Sequence, residues 1–323
     1  MEWSALRSAR IWLTGGTGFW GRGLLTSALD AERQHGLGLQ LVVHARHPER
    51  LYANLPTVAD HLAVTLWAGD IANGPLPPGP FTHVIHAATD AGRGSTGLAT
   101  LDTIVTGTRR VLDHAIATGA QRFLLASSGA VYGRQPPELF ALPEDFPGAP
   151  LSTDPRSAYG LGKHLAEQLV VLYTHERGLP GTIARGFAFV GPGLPLDGPF
   201  AAGNFVRDAL AGGPIRVRGD GTAVRSYLAA HDLADWLWTI LLRGQPGRAY
   251  NVGSAHPVTI AELAFTVARL TNTQVEIAQT PTPGQMPERY VPDVARATTE
   301  LGVRERTDWT VALAQLLNSH KIH

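Results

Sequence analysis

The chain has 323 residues, 44% of them hydrophobic and 17% charged, with 27 basic and 27 acidic side chains and no cysteine. A formal charge of zero excludes the basic footprint that DNA or RNA phosphates require. The missing cysteines exclude a disulfide framework, a thiolate metal site and a cysteine nucleophile.

The opening stretch, MEWSALRSARIWLTGG, carries too short an apolar run for an export signal. The run around Trp236 to Leu242 is far short of a membrane span and reads as a core helix. The expectation is a cytoplasmic protein with neither membrane nor nucleic acid as partner.

Short apolar runs then alternate with stretches of helical period. Arg10–Leu13 predicts a first strand, and Leu24–Leu29 lies in the helix that follows. Leu39–His44, Val64–Trp67 and His83–His86 predict the next three strands. Leu101, Ile104, Val105, Thr108, Val111, Leu112 and Ala115 repeat at three-and-four spacing, the period of a helix. Arg122–Ala126 predicts a fifth strand. A helix starts near Tyr159, and Gly181–Arg185 begins a sixth strand. Continuous apolar strands between amphipathic helices imply an α/β fold: a Rossmann-type, doubly wound parallel sheet covered on both faces.

Beyond Gly186 the texture changes. Gly and Pro are dense in GPGLPLDGPFAAG and GGPIRVRGDGT, which are turn compositions. Helical patterns return at Asp232–Leu242 and Ile260–Leu270, with Asn251–Gly253 between them. The expected division is a dinucleotide-binding domain over 1–185, with returning segments near 225–253. A smaller substrate domain takes 186–224 and 254–323.

Thr14-Gly15-Gly16-Thr17-Gly18-Phe19-Trp20-Gly21 joins the first strand to its helix, with Gly15, Gly18 and Gly21 three apart. Glycines here allow a tight turn, close approach of backbone to a pyrophosphate, and close helix–strand packing. The free N–H groups of the helix start then face the phosphates. Thr17, Phe19 and Trp20 belong to the same expected cofactor cradle.

The second strand ends His44-Ala45-Arg46. Enzymes that use NAD place an acid near this point for the ribose hydroxyls, whereas Arg46 suits a 2′-phosphate. The cofactor is therefore expected to be NAD(P), with NADP favoured and NAD still open. Asp70, beside Ile71, has two roles open to it, accepting from the adenine amino group or capping a turn. Ala87 and Ala88 leave room for the cofactor's backbone. His86 is expected to pack rather than to do chemistry.

Ser127-Ser128-Gly129-Ala130-Val131-Tyr132-Gly133 follows the fifth strand, at the sheet edge where such folds bind ligands. Tyr159 and Lys163 are four apart on a helix and share a face. A tyrosine ordinarily titrates near ~10. A neighbouring ammonium and an oxidised nicotinamide favour its phenolate, so Tyr159 can exchange a proton with a substrate oxygen. Ser128 would hydrogen-bond that oxygen, and Lys163 would also reach the cofactor's ribose. Tyr132 has no lysine at helical spacing and is expected to be structural or a wall of the substrate pocket.

TGGTGFWG, SSGAVYG, YGLGK, RGFAFVGPG, GDGTAVRSYLAAHDLAD and YNVGS occur in that order over nearly the whole chain. Together they resemble the extended short-chain dehydrogenase/reductases, the NAD-dependent epimerase/dehydratase family that modifies nucleotide sugars. The resemblance implies a catalytic triad of Ser128, Tyr159 and Lys163, and homodimerisation through helices near 100–118 and 159–177. It implies a nucleotide-diphosphate sugar as substrate, with Arg225 on its diphosphate, Arg289 as a second contact and Asn204 as a substitute contact.

Three positions depart from the family pattern. Gly129-Ala130 stands where 4,6-dehydratases carry Asp-Glu, and uronate decarboxylases keep a Glu matching Ala130, so both activities are disfavoured. Ala188 replaces the usual Asn at the diphosphate, and Ile104 replaces an Asn of the fourth helix. Two activities stay open: a 4-epimerase passing through a keto sugar, placed first, and an NADPH-dependent reductase of a 4-keto-6-deoxy sugar nucleotide. A reductase of small ketones and a non-catalytic cofactor-binding protein are the remoter alternatives. No catalytic metal is expected, because the histidines form no ligand pair with a suitable acid.

Overall fold

The computed structural model describes residues 2–89 and 96–320. Strands β1 (Arg10–Thr14), β2 (Gln40–Ala45), β3 (Val64–Ala68), β4 (His83–His86), β5 (Arg122–Ser128) and β6 (Gly181–Gly186) lie in one sheet with β11 (Ala249–Val252). The spatial order is β11-β6-β5-β4-β1-β2-β3 and every pairing is parallel. This is the predicted Rossmann-type sheet, with a seventh strand supplied by the chain after its excursion.

Side chains alternate across each strand, so every central strand feeds two cores. Ile11, Leu13, Leu41, Val43, Ile85 and Leu124 face one side. There they pack with α1 (Phe19–His35) and α8 (Ala230–Arg243). Trp12, Val42, Val84, Phe123 and Leu125 face the other side. There they meet α5 (Gly107–Ala117) and α6 (Ala158–Arg177). Burial on both faces is why these strands read as unbroken apolar runs. Short helices α2 (Arg50–Asn54) and α3 (Pro56–Ala59) follow β2. The helix expected near 100–118 has three parts: α4 (Gly97–Leu101), a π-helical turn over Asp102–Thr106, and α5. Ile104 sits in the π turn and packs on Gly162 of α6, where an added Cβ would come within 3.2 Å of it.

The Gly- and Pro-rich remainder forms smaller pieces around a separate apolar core that includes Phe205, Val206, Leu263, Val267, Leu313 and Leu316. Strand β7 (Phe189–Val190) pairs with β10 (Leu228–Ala229), and β8 (Ile215–Val217) with β13 (Val275–Ile277). Strand β9 (Val224–Ser226) lies between β12 (Pro257–Thr259) and β14 (Arg289–Tyr290). Helices α7 (Ala201–Leu210), α9 (Ile260–Thr271) and α11 (Trp309–Ser319) cover them. Residues around α10 (Ala295–Leu301) return to the first core beside α8. Among the described residues, no helix is long and apolar enough to cross a membrane.

Candidate active site

Strand order reverses between β1 and β4, the crevice where doubly wound sheets take ligands. The glycine turn meets the end of β4 there. Gly15 has φ +73°, and a Cβ on it would lie 2.6 Å from the Ala88 nitrogen and 2.7 Å from the Ala87 oxygen. No side chain other than glycine fits. Helix α1 begins after Gly18, which makes no side-chain capping bond. The N–H groups of its first turn are thus left for a ligand. A cradle closed to any Cβ and open at a helix start suits the pyrophosphate of a dinucleotide.

Behind the turn His86 acts as a strut. Its Nδ1 is 2.7 Å from Thr14 Oγ1, which also accepts from the Ala88 N–H, and its Nε2 is 3.1 Å from Thr108 Oγ1. Burial lowers the His86 pKa to about 3, helped by the nearby Lys163 charge. It is a neutral packing residue, as its sequence context suggests.

A cleft of about 1330 Å³ opens from this crevice. Gly15, Thr17, Gly18, Phe19, Trp20, Gly21, Arg46, Asp70, Ile71, Ala87 and Ala88 all line it. So do Ser128, Tyr159, Lys163 and Arg225. Arg46 is exposed at the rim. Asp70 lines the wall and also caps a turn, its Oδ1 accepting from the Ala72 N–H at 2.7 Å.

Ser128 ends β5, and its hydroxyl oxygen accepts from the Ala130 N–H at 3.1 Å. Tyr159 stands at the start of α6, where burial raises its pKa and the Ser128 hydroxyl acts in the opposite direction. Lys163 is one turn on, with Nζ 6.0 Å from the Tyr159 ring centre and donating to the Ala126 oxygen at 2.9 Å. Burial lowers the Lys163 pKa to about 8, while Glu167 pulls it upward. Glu167 is a further turn along the same face. It accepts from Ser127 Oγ at 2.5 Å and pairs with Arg185 at 2.6 Å. Arg185 also donates to the Tyr132 hydroxyl, which donates to Asn251. This buried network holds the base of the triad and explains Tyr132 as structural. Its one visible trace in the sequence is Glu167, four residues after Lys163.

Two expected substrate contacts lie off the cleft wall. Asn204 sits on α7, whose Ala201 and Ala202 face the cleft, while its own Oδ1 accepts from Arg207 at 3.1 Å. Arg289 precedes Tyr290 on β14, and successive strand residues face opposite sides. Tyr290 faces the cleft, so Arg289 turns away, with its guanidinium 5.2 Å from the centre of the Phe140 ring. Arg225 lines the cleft and pairs with Glu288 at 2.8 Å.

Sequence reasoning also missed how aromatic the cleft is. Gly186 removes a side chain, and the Trp20 indole occupies the space a Cβ would need. That indole packs edge-on to Phe189 at 5.4 Å, and Phe187, Phe200, Tyr227 and Tyr290 complete the wall.

A parallel sheet of this order, with a glycine turn at its reversal point and Ser128, Tyr159 and Lys163 on the same edge, defines the short-chain dehydrogenase/reductase class. The family model described as the NAD dependent epimerase/dehydratase family matches residues 11–253. UDP-glucuronic acid decarboxylase 5 of Arabidopsis thaliana is 30% identical over 294 residues, which cover 91% of this chain and 84% of that protein. Two solved structures share the fold at 20% identity, each with a TM-score of 0.82. They are the dTDP-glucose 4,6-dehydratase of Bacillus anthracis with NAD, covering 98% of this chain and 97% of that one, and the UDP-glucuronic acid 4-epimerase of Bacillus cereus with NAD, covering 97% and 99%. The protein belongs to the NAD-dependent epimerase/dehydratase family, of the extended short-chain dehydrogenase/reductase type.

Proposed function

We propose that this protein is a nucleotide-sugar 4-epimerase that uses Tyr159 to move a proton while hydride passes between the sugar and a nicotinamide. The carrying observation is the convergence of Ser128, Tyr159 and Lys163 on the wall that also holds the glycine turn. The backbone from Gly15 to Gly21 would hold the pyrophosphate, Ala87 and Ala88 would border it, and Asp70 and Ile71 would flank the adenine side. Bound there, the nicotinamide supplies a reversible acceptor for hydride.

Tyr159 takes the proton of the sugar hydroxyl as its carbon is oxidised and returns it when the ketone is reduced. Lys163 supports the phenolate through its charge, and Ser128 donates to the same substrate oxygen. Arg225 faces the diphosphate, for which a guanidinium is geometrically suited. A keto sugar that turns over between the two transfers comes back with inverted configuration and no net redox change.

A second reading, the NADPH-dependent 4-ketoreductase, draws on Ala45 and Arg46, which provide no acid for a 2′-hydroxyl and a guanidinium for a 2′-phosphate. The curated relatives point to a third, decarboxylation of UDP-glucuronic acid. Gly129 and Ala130 speak against that, since neither carries an acid.

The exposed apolar residues Ile116, Leu165 and Leu172 lie on α5 and α6. We assign the homodimer contact to this face.

Purified protein is to be incubated with UDP-glucose, UDP-glucuronic acid and a 4-keto-6-deoxy sugar nucleotide, with NAD or NADP added. Isomer formed without a change in absorbance at the reduced-nicotinamide band supports the epimerase. Steady loss of NADPH supports the reductase, and release of carbon dioxide supports the decarboxylase. Tyr159→Phe should lower turnover at least ~100-fold while the dinucleotide still binds. Unchanged turnover in that variant removes the mechanism.

A further inference from the structure

Trp20 is the second residue of α1, directly after the glycine turn, and it lines the cleft. Its six-membered ring lies against Gly186, the last residue of β6. A Cβ there would overlap Cζ2 and Cη2 of the indole and come within 3.2 Å of Phe189 Cε2. Gly186 is not among the glycines with positive φ. Its backbone does not call for glycine, and the missing side chain serves the indole. Phe189 packs on the same indole with the ring planes at 89°, so Trp20 is held from two sides.

Position 186 also relates the indole to the triad. Gly186 is the register partner of Ser128 on the adjacent parallel strand. Register partners face the same side of a sheet, and adjacent strands lie ~4.8 Å apart. The indole therefore occupies the space beside Ser128 on the face that α1 covers, and it packs on that core. Tyr159 comes from α6 and packs on the core of the opposite face. Trp20 and Tyr159 thus meet the carboxyl end of β5 from the two sides of the sheet.

A flat ring held between them presents one face to each. We propose that Trp20 is the wall behind the nicotinamide, covering one face of the ring and leaving the other to Tyr159 and the substrate. Hydride leaving the sugar carbon then enters C4 of the ring on the Tyr159 side alone, while the hydroxyl proton goes to Tyr159. A reduced ring that cannot turn over returns hydride from the face on which it arrived. Two aromatic rings in contact gain energy beyond the area they bury, so an indole holds this ring better than an aliphatic side chain does. The inference rests on the reading of the crevice as the dinucleotide site, with the nicotinamide at the Tyr159 end.

Two measurements that need no turnover test it. In the first, calorimetry compares whichever of NAD+ and NADP+ binds with ADP-ribose or its 2′-phosphate, the same molecule without nicotinamide. Trp20→Leu keeps an apolar side chain and removes the ring. It should weaken the dinucleotide about two- to tenfold, the scale of one aromatic contact, and leave the ADP-ribose compound unchanged. Equal losses for both make Trp20 a structural part of the cradle and overturn the inference.

In the second, sodium borodeuteride reduces the bound dinucleotide, and NMR of the released product reports which face of C4 took the deuterium. The parent protein should give one isomer in large excess, and Trp20→Ala should give both. Equal amounts from the parent, or an unchanged excess in Trp20→Ala, overturns the inference. Gly186→Ala displaces the indole from the other side, should act in the same direction, and serves if the Trp20 variants do not fold. A parent protein that binds neither dinucleotide overturns the underlying reading, and the inference falls with it.

Discussion

Lys163 reaches across the sheet edge to donate a 2.9 Å hydrogen bond to Ala126, two residues before Ser128. That bond ties α6 to the end of β5 and fixes the ammonium beneath Tyr159. The side chain is only 2% exposed, so its charge acts with little solvent screening. Lys163→Met keeps the buried stem and removes the charge. Turnover should fall about 100-fold, the low end for loss of one preorganised charged donor. The ratio of turnovers and a parallel titration of dinucleotide fluorescence separate catalysis from binding.

The same lysine sets an alkaline limit. Burial brings its pKa from the usual 10.5 to about 8, against the upward pull of Glu167. As the pH rises through about 8, Lys163 loses its proton and Tyr159 its supporting charge. A pH–rate profile should therefore bend downward near 8, with this limb missing from the residual activity of Lys163→Met.

Cofactor choice should turn on two adjacent residues. Arg46 lies on the cleft rim and Ala45 at the end of β2. The double substitution Ala45→Asp with Arg46→Ala places a carboxylate against the ribose and removes the guanidinium. The ratio of NADP to NAD affinity should drop roughly 10- to 100-fold, the scale of one charged hydrogen bond. Paired binding titrations with the two dinucleotides measure it.

Acid stability should depend on histidines buried in the sheet. Burial lowers His44 and His83 to about 4 and His86 to about 3, from the ordinary 6.5. The unfolded chain takes up protons that the folded chain refuses. Stability is full above pH 6.5, falls as the pH drops below it, and levels off near 3 to 4. His86 alone can contribute on the order of 4 kcal/mol to that fall. Chemical denaturation of the parent protein and of His86→Gln between pH 7 and pH 4 should show a shallower loss in the variant.

Most of the sheet was legible because its strands are buried on both faces, as Ile11, Trp12 and Leu13 show on β1. The glycine turn was legible because a close approach of backbone to Ala87 and Ala88 excludes every other residue. Tyr159 and Lys163 were legible because helical spacing alone puts them on one face. Strands β9, β12 and β14 were not, since segments of two or three residues pair through contacts distant in sequence. For the same reason Tyr290 went unnoticed and Arg289 was placed in the site. Their order on β14 says they face opposite ways but not which one meets the cleft. The space Gly129 opens for Tyr290 is likewise a tertiary property, 161 positions apart in the chain.

The central claim is that the dinucleotide lies in the glycine-lined crevice with its nicotinamide beside Tyr159. Crystals grown with NADP+ or NAD+ test it most directly. The expected electron density has the pyrophosphate over Gly15 to Gly21 and the ring in contact with the Tyr159 hydroxyl. A ring lying away from Tyr159, or a protein that takes up neither dinucleotide, would contradict the account.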